Sequence, residues 1–217
     1  MPVCSIMAEP PAHLPMWLEI LAMGFAGAFG AAIARSRHSP IYGTIFAGVI
    51  VGLGGGMIRD LLLLTHPVAI TSAVLIPVVA AAAVAGALLA EWITETPTVV
   101  LALQGLSLGL LVVIGMQRAI DFGAPIAVCI FLGLITATAG GIMLDAMTAQ
   151  HSAALAQSNY FATAAFLGTL AFWPLSQYVS FPLAAVVTVA LVAVLRVVSV
   201  RRDWKAPEWP ERGRRVD

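Results

Sequence analysis

Residues 48–60 read Gly48-Val-Ile-Val-Gly52-Leu-Gly54-Gly55-Gly56-Met-Ile-Arg59-Asp60: three consecutive glycines, then an Arg-Asp pair closing an apolar run. Residues 133–145 read Gly133-Leu-Ile-Thr136-Ala137-Thr138-Ala139-Gly140-Gly141-Ile-Met-Leu144-Asp145. Positions 48, 52, 56 and 60 lie four apart, so Gly, Gly, Gly and Asp share one slowly drifting stripe of a helix. The second run places Gly, Ala, Gly and Asp at the matching positions. Small residues at this spacing let helix backbones approach closely. Each glycine also lowers helix propensity by about 1 kcal/mol relative to alanine. The two runs are therefore expected to kink or unwind near Gly54–Gly56 and near Gly140–Gly141. Backbone groups freed at membrane depth are tolerated only where protein or a water-lined cavity satisfies them.

The two runs are parts of a longer repeat. Residues 18–84 laid on 103–169, an offset of 85, give 17 identities. They include Gly24/Gly109, Gly30/Gly115, Pro40/Pro125, Gly48/Gly133, Gly55/Gly140, Gly56/Gly141, Asp60/Asp145 and His66/His151. Repeats of this kind outrank any single motif as a clue to architecture.

Composition places the repeat in a bilayer. The chain has 217 residues, 60% apolar and 10% charged, with a mean hydropathy of +0.97. A soluble domain carries about 25% charged residues, so a soluble domain and a disordered chain are both excluded. Apolar runs at about 17–34, 41–64, 70–90, 98–117, 124–148, 157–176 and 181–200 suit seven membrane spans. The fold class is all-α integral membrane. The expected organisation is a tail over 1–16, a first three-helix repeat over 17–92, a second over 98–177, a seventh helix over 181–200 and a basic cytoplasmic tail over 201–217. Three spans per unit is an odd number, so the second unit enters from the opposite side, an inverted repeat that builds a pathway near the midplane.

Formal net charge is zero, yet six of the eleven Lys and Arg residues fall in the last 17 positions. They read as a positive-inside signal rather than a nucleic-acid site. The C-terminus is then cytoplasmic, and seven spans put the N-terminus outside. Arg35 and Arg37 fall on the cytoplasmic side as well, while Arg118 is an external exception. Cys4 and Cys129 imply neither disulfide nor metal site. No hydrolase triad, phosphate-binding loop or His/Cys ligand cluster is present, so no enzymatic activity, metal or cofactor is expected.

Charge inside a span is expensive and marks a pathway or a structural pair. Arg59, Asp60 and Asp145 are the candidates. Arg59 pairing with Asp145 or Asp60 would lock the two glycine-rich spans together. A direct role in passing cations and a headgroup position are the other readings. Thr136 and Thr138 either line a hydrated path or bond their own backbone. His66 and His151 match across the repeat and read as polar edge or as a titratable pair. Gln104 and Gln117 are weaker candidates.

Gly54-Gly55-Gly56-x-x-Arg59-Asp60, with its weaker echo Gly140-Gly141-x-x-x-Asp145, resembles the prokaryotic TRIC (trimeric intracellular cation) channels, a group also called bacterial glycine-transporter-domain proteins. The resemblance covers about residues 17–200. It implies seven helices, two inverted three-helix repeats plus a seventh, in a homotrimer of the cell inner membrane. Each protomer would hold one pore between the glycine-kinked second and fifth helices. The implied activity is passive permeation of monovalent cations, potassium and also sodium. Gly54, Gly55, Gly56, Gly140 and Gly141 would be the kink positions, and Arg59, Asp60 and Asp145 the charged positions beside the path. Ala139 and Leu144 depart from the motif, so a symmetric pair of Arg-Asp clusters is absent and Asp145 is left to pair with Arg59. Inverted repeats also suit a secondary transporter of a small zwitterion such as glycine, and a non-conducting scaffold is a third class.

Overall fold

A computed structural model describes residues 15–148 and 161–202, and among them every regular element is a helix. The helices are α1 (Met16–Ser36), α2 (Ile41–Leu62), α3 (Val68–Thr71), α4 (Leu75–Leu88), α5 (Ala90–Glu95), α6 (Pro97–Asp121), α7 (Ile126–Met147), α8 (Phe161–Tyr178) and α9 (Phe181–Arg201). Five of them, in α1, α2, α6, α7 and α9, are long and apolar enough to cross a membrane. The third expected span, 70–90, is not one helix. It is the short α3, then α4, then α5, with a break at Leu89. The sixth span keeps Pro174 inside α8. His151, Cys4 and the tail from 203 onward lie outside the described residues.

The molecule is inside-out relative to a soluble protein. Phe46, Ile76, Val84, Phe131, Val186 and Val194 are exposed, whereas Glu19, Arg59, Asp60, Asp145 and Arg196 are buried. An apolar exterior costs nothing against lipid, and buried charge there must be paired between helices.

Helix packing repeats itself. α1 packs on α2 and α4, and α6 packs on α7 and α8. α2 packs on α4, and α7 on α8. The two sets meet where α2 lies on α7 and α1 on α6, while α9 covers α6 and α8. The turns match in detail. At the end of α1 the N–H groups of Arg37, His38 and Ser39 donate to the carbonyls of Ile33, Arg35 and Ala34. At the end of α6 those of Phe122, Gly123 and Ala124 donate to Arg118, Ile120 and Ala119, each position 85 further on. Both turns need a residue at positive φ, which is His38 at 60° in the first and Gly123 at 79° in the second. Pro40 and Pro125 then open α2 and α7.

The glycine runs do not unwind. α2 and α7 are helical throughout Gly54–Gly56 and Gly140–Gly141. The expected broken helix is corrected to a continuous one, because the glycines serve a close crossing. A Cβ on Gly55 would run into the Thr136 carbonyl of α7, and one on Gly140 into the Val51 carbonyl of α2. These contacts are images of each other at the offset of 85. The stripe continues outward: Gly30 abuts Val51, and Gly115 abuts Thr136. Van der Waals contact between backbones offsets the low helix propensity of glycine when a neighbouring helix fills the groove.

Candidate functional site

The buried charged side chains among the described residues fall into two clusters at opposite ends of α1. The first joins Glu19 in the first turn of α1, Arg59 and Asp60 in the last turn of α2, and Arg118 in the last turn of α6. Acidic residues favour a helix N-terminus and basic ones a C-terminus, so the macrodipoles support Glu19, Arg59 and Arg118 where they stand. Arg59 Nε donates to Asp60 Oδ1 at 2.7 Å, and the Val68 N–H at the start of α3 donates to Asp60 Oδ2 at 2.9 Å. Asp60 thus binds α2 to the segment that follows it. Arg118 Nε and Nη2 both donate to Glu19 Oε1, at 3.1 and 2.9 Å. Arg59 Nη2 stands 3.8 Å from the same oxygen.

Arg59 and Glu19 are fully buried. Even so, Glu19 Oε2 and both Nη atoms of Arg59 lack a hydrogen-bond partner among the described residues. Orphaned polar atoms of this kind are places where water or an ion is held in an otherwise dry interior.

The second cluster joins Arg37 just past α1, Asp145 and Thr148 at the end of α7, Gln104 in α6 and Arg196 in α9. Arg37 Nη1 donates to Asp145 Oδ1 at 2.9 Å and to Thr148 Oγ1 at 2.7 Å. Arg196 Nη2 donates to Gln104 Oε1 at 2.5 Å, and its guanidinium carbon lies 5.3 Å from the Phe161 ring centroid. Arg37, Gln104, Asp145, Phe161 and Arg196 line a cavity of about 210 Å³. A smaller space of about 30 Å³ adjoins it, reaching Ser107 of α6, Val51 of α2 and Ala137 and Gly140 of α7. It has room for about one or two waters. From Glu19 to Arg37 is 18 residues, about 27 Å at helical rise, close to the ~30 Å hydrocarbon thickness of a bilayer.

The sequence-level candidates fare unevenly. Asp60 and Asp145 stand in different clusters. Arg59 pairs with Asp60 and Glu19, and Asp145 pairs with Arg37, so the expected Arg59–Asp145 pair is corrected. Each lies near the C-terminal end of its own helix, α2 or α7, and these two ends stand at opposite ends of α1. Gly140 and Gly141 border the cavities, while Gly54 and Gly56 face Met143 and Met23. Thr136 and Thr138 donate to the carbonyls of Leu132 and Leu134, one turn back in α7.

Glu19 and Arg196 were not singled out, although each is an ionisable residue within an apolar run, the signal that selected Arg59. Arg37 was read only as a topology marker and Gln104 as a weak candidate.

A multi-pass α-helical membrane protein with paired charges held between its helices is the class these features define. The family described as Glycine transporter matches residues 16–94 and, a second time, 101–177. The chain belongs to that family, the prokaryotic TRIC channel family. The UPF0126 inner membrane protein YadS of Escherichia coli K12 is 25% identical over 201 residues, covering 89% of this chain and 95% of that one. A UPF0126 membrane protein of Deinococcus radiodurans is 28% identical over 195 residues, covering 87% and 88%. The TRIC trimeric intracellular cation channel orthologue from Rhodobacter sphaeroides superposes with a TM-score of 0.74 at 27% identity, covering 87% of this chain and 97% of that one. Another TRIC cation channel shares the fold with a TM-score of 0.79 at 22% identity, covering 90% and 97%.

Proposed function

We propose that this protein is a cation channel of a prokaryotic inner membrane. Monovalent cations, potassium and also sodium, would pass through one pore per protomer of a homotrimer. The path runs beside the crossing of α2 and α7, through the two adjoining cavities. The observation that carries this reading is the cavity of about 210 Å³ lined by Asp145, Arg37, Gln104 and Arg196, which adjoins the smaller space at the α2–α7 crossing. Acidic side chains and polar lining replace part of an ion's hydration shell in such a path. The structural likeness to TRIC cation channels supports the same reading.

The architecture in this proposal is seven transmembrane units, with α3 to α5 together forming the third. Residues 17–92 and 98–177 are the inverted repeats and α9 is the seventh helix. The matched packing, turns and glycine contacts support that division. The N-terminus would be outside and the C-terminus cytoplasmic. Arg37 and Arg196 line one cavity, so the basic ends of α1 and α9 share a side of the membrane, which agrees with the positive-inside rule.

A second reading, a transporter of a small zwitterion such as glycine, draws on the same cavity, which offers guanidinium groups to a carboxylate and Asp145 to an amine. Single-channel recording of purified protein in planar bilayers separates the two. Unitary potassium currents, altered in conductance or cation/anion selectivity by Asp145→Asn, are the expected result. Saturable glycine uptake in proteoliposomes without unitary currents would overturn it.

A further inference from the structure

We infer that Arg196, on the helix outside the repeat, is the latch that closes the passage between the two cavities and sets the barrier to cation flow. The inference rests on the channel reading. Four residues, Phe29, Gln104, Gly141 and Phe161, line both cavities and so form the neck between them. Arg196 holds two of these four. It donates to Gln104 at 2.5 Å, and its guanidinium carbon lies 5.3 Å from the Phe161 ring centroid. Its side chain is nearly buried, at 5% exposure. A single side chain thus contacts two residues of the neck from within the larger cavity.

The repeat explains why α9 supplies this group. Gln104 is the counterpart of Glu19, and Leu144 the counterpart of Arg59, at the offset of 85. In the first half, Arg59 faces Glu19 from α2. In the second half α7 has no arginine to face Gln104, and Arg196 fills that role from α9. The exchange also changes the charge. The first cluster sets two arginines against two carboxylates. Among the described residues, the lining of the larger cavity holds Arg37 and Arg196 and one carboxylate, Asp145. A positive excess in a narrow, low-dielectric space repels cations. Arg196 thus obstructs the neck by contact and opposes cations by charge, and cation flow requires it to swing away from Gln104.

Accessibility and current test this separately. Ser107 lines the smaller cavity but not the larger, so Ser107→Cys, in a Cys4→Ser/Cys129→Ser background, places a thiol behind the neck. Silver ion, a small monovalent cation, is the probe, and thiol loss is read by maleimide labelling after denaturation. Arg196→Gln is expected to raise the reaction rate on the order of tenfold, and Arg196→Lys to keep most of the charge barrier. Gln104→Leu removes the hydrogen bond that holds Arg196 to the neck while retaining the arginine and is also expected to speed the reaction, which covers an Arg196→Gln protein that fails to fold. In bilayers Arg196→Gln is expected to raise cation conductance and the cation/anion permeability ratio. Silver rates equal to the parent's in both variants overturn the latch whatever the currents show. A parent without unitary currents overturns the channel reading and leaves the silver rates to judge the neck.

Discussion

Gly55 of α2 rests against the backbone carbonyl of Thr136 in α7, and its repeat counterpart Gly140 rests against the carbonyl of Val51, the counterpart of Thr136. One contact made twice in this way fixes how the two halves cross. Gly55→Ala or Gly140→Ala must push the helices apart, and overpacking costs about 1–3 kcal/mol. Gly24→Ala is the control, since its Cβ would meet only Ala82 at an ordinary 3.9 Å. Thermal unfolding in detergent should show a lower Tm for the first two variants and none of that loss for the third. Equal Tm values for all three would mean that the crossing is looser than described.

The first charge cluster is expected to be a stability element. Asp60→Asn removes the negative charge that the fully buried Arg59 meets at 2.7 Å. Removing one member of a buried pair costs about 3–5 kcal/mol. The Asp60→Asn protein should unfold at markedly lower denaturant. A double-mutant cycle on Glu19 and Arg118 should give a coupling energy well above that of a surface pair. Additive effects in that cycle would show that the 2.9 Å contact contributes nothing.

The Arg37–Asp145 pair should behave differently. The Arg37 side chain is 25% exposed and the pair borders the larger cavity. The partial exposure of Arg37 weakens the interaction, so Arg37→Gln is expected to cost less than Asp60→Asn. Its main effect should be on permeation, because it removes one of the two positive charges of the lining. Reversal potentials in asymmetric potassium chloride are expected to move toward greater cation preference. No movement would place Arg37 outside the conducting path.

His38 holds a left-handed backbone at φ 60° where the matching turn has Gly123 at 79°. That conformation costs a non-glycine residue about 1–2 kcal/mol. His38→Gly is expected to raise the Tm and Gly123→Ala to lower it, by comparable amounts. His38 is exposed, so the backbone effect is not confounded by lost packing. A drop in Tm for His38→Gly would show that the imidazole has a structural role.

Much of the site was legible in one dimension, though not its wiring. Asp60 and Asp145 stood out because a carboxylate within an apolar run is costly, and both are buried. Glu19 and Arg196 carry the same signal, one near the start of a span and one near the end of the last. The glycines were legible as small residues at four-residue spacing. Their low propensity argued for unwinding, but propensity is a local quantity and a filled groove overrides it.

The sequence by itself determined that the chain lives in a bilayer, that two related halves follow each other at an offset of 85, and that charge is kept inside. Composition and periodicity are properties of the chain alone, and the bilayer translates them directly into helices. Only the tertiary structure decided which carboxylate meets which arginine, that α2 and α7 stay helical through their glycines, and that a residue of α9 reaches the neck beside Gln104. Those outcomes depend on the crossing of helices distant in sequence, and no local pattern encodes the distance between Arg59 and Asp145 or the closeness of Arg196 to Phe161.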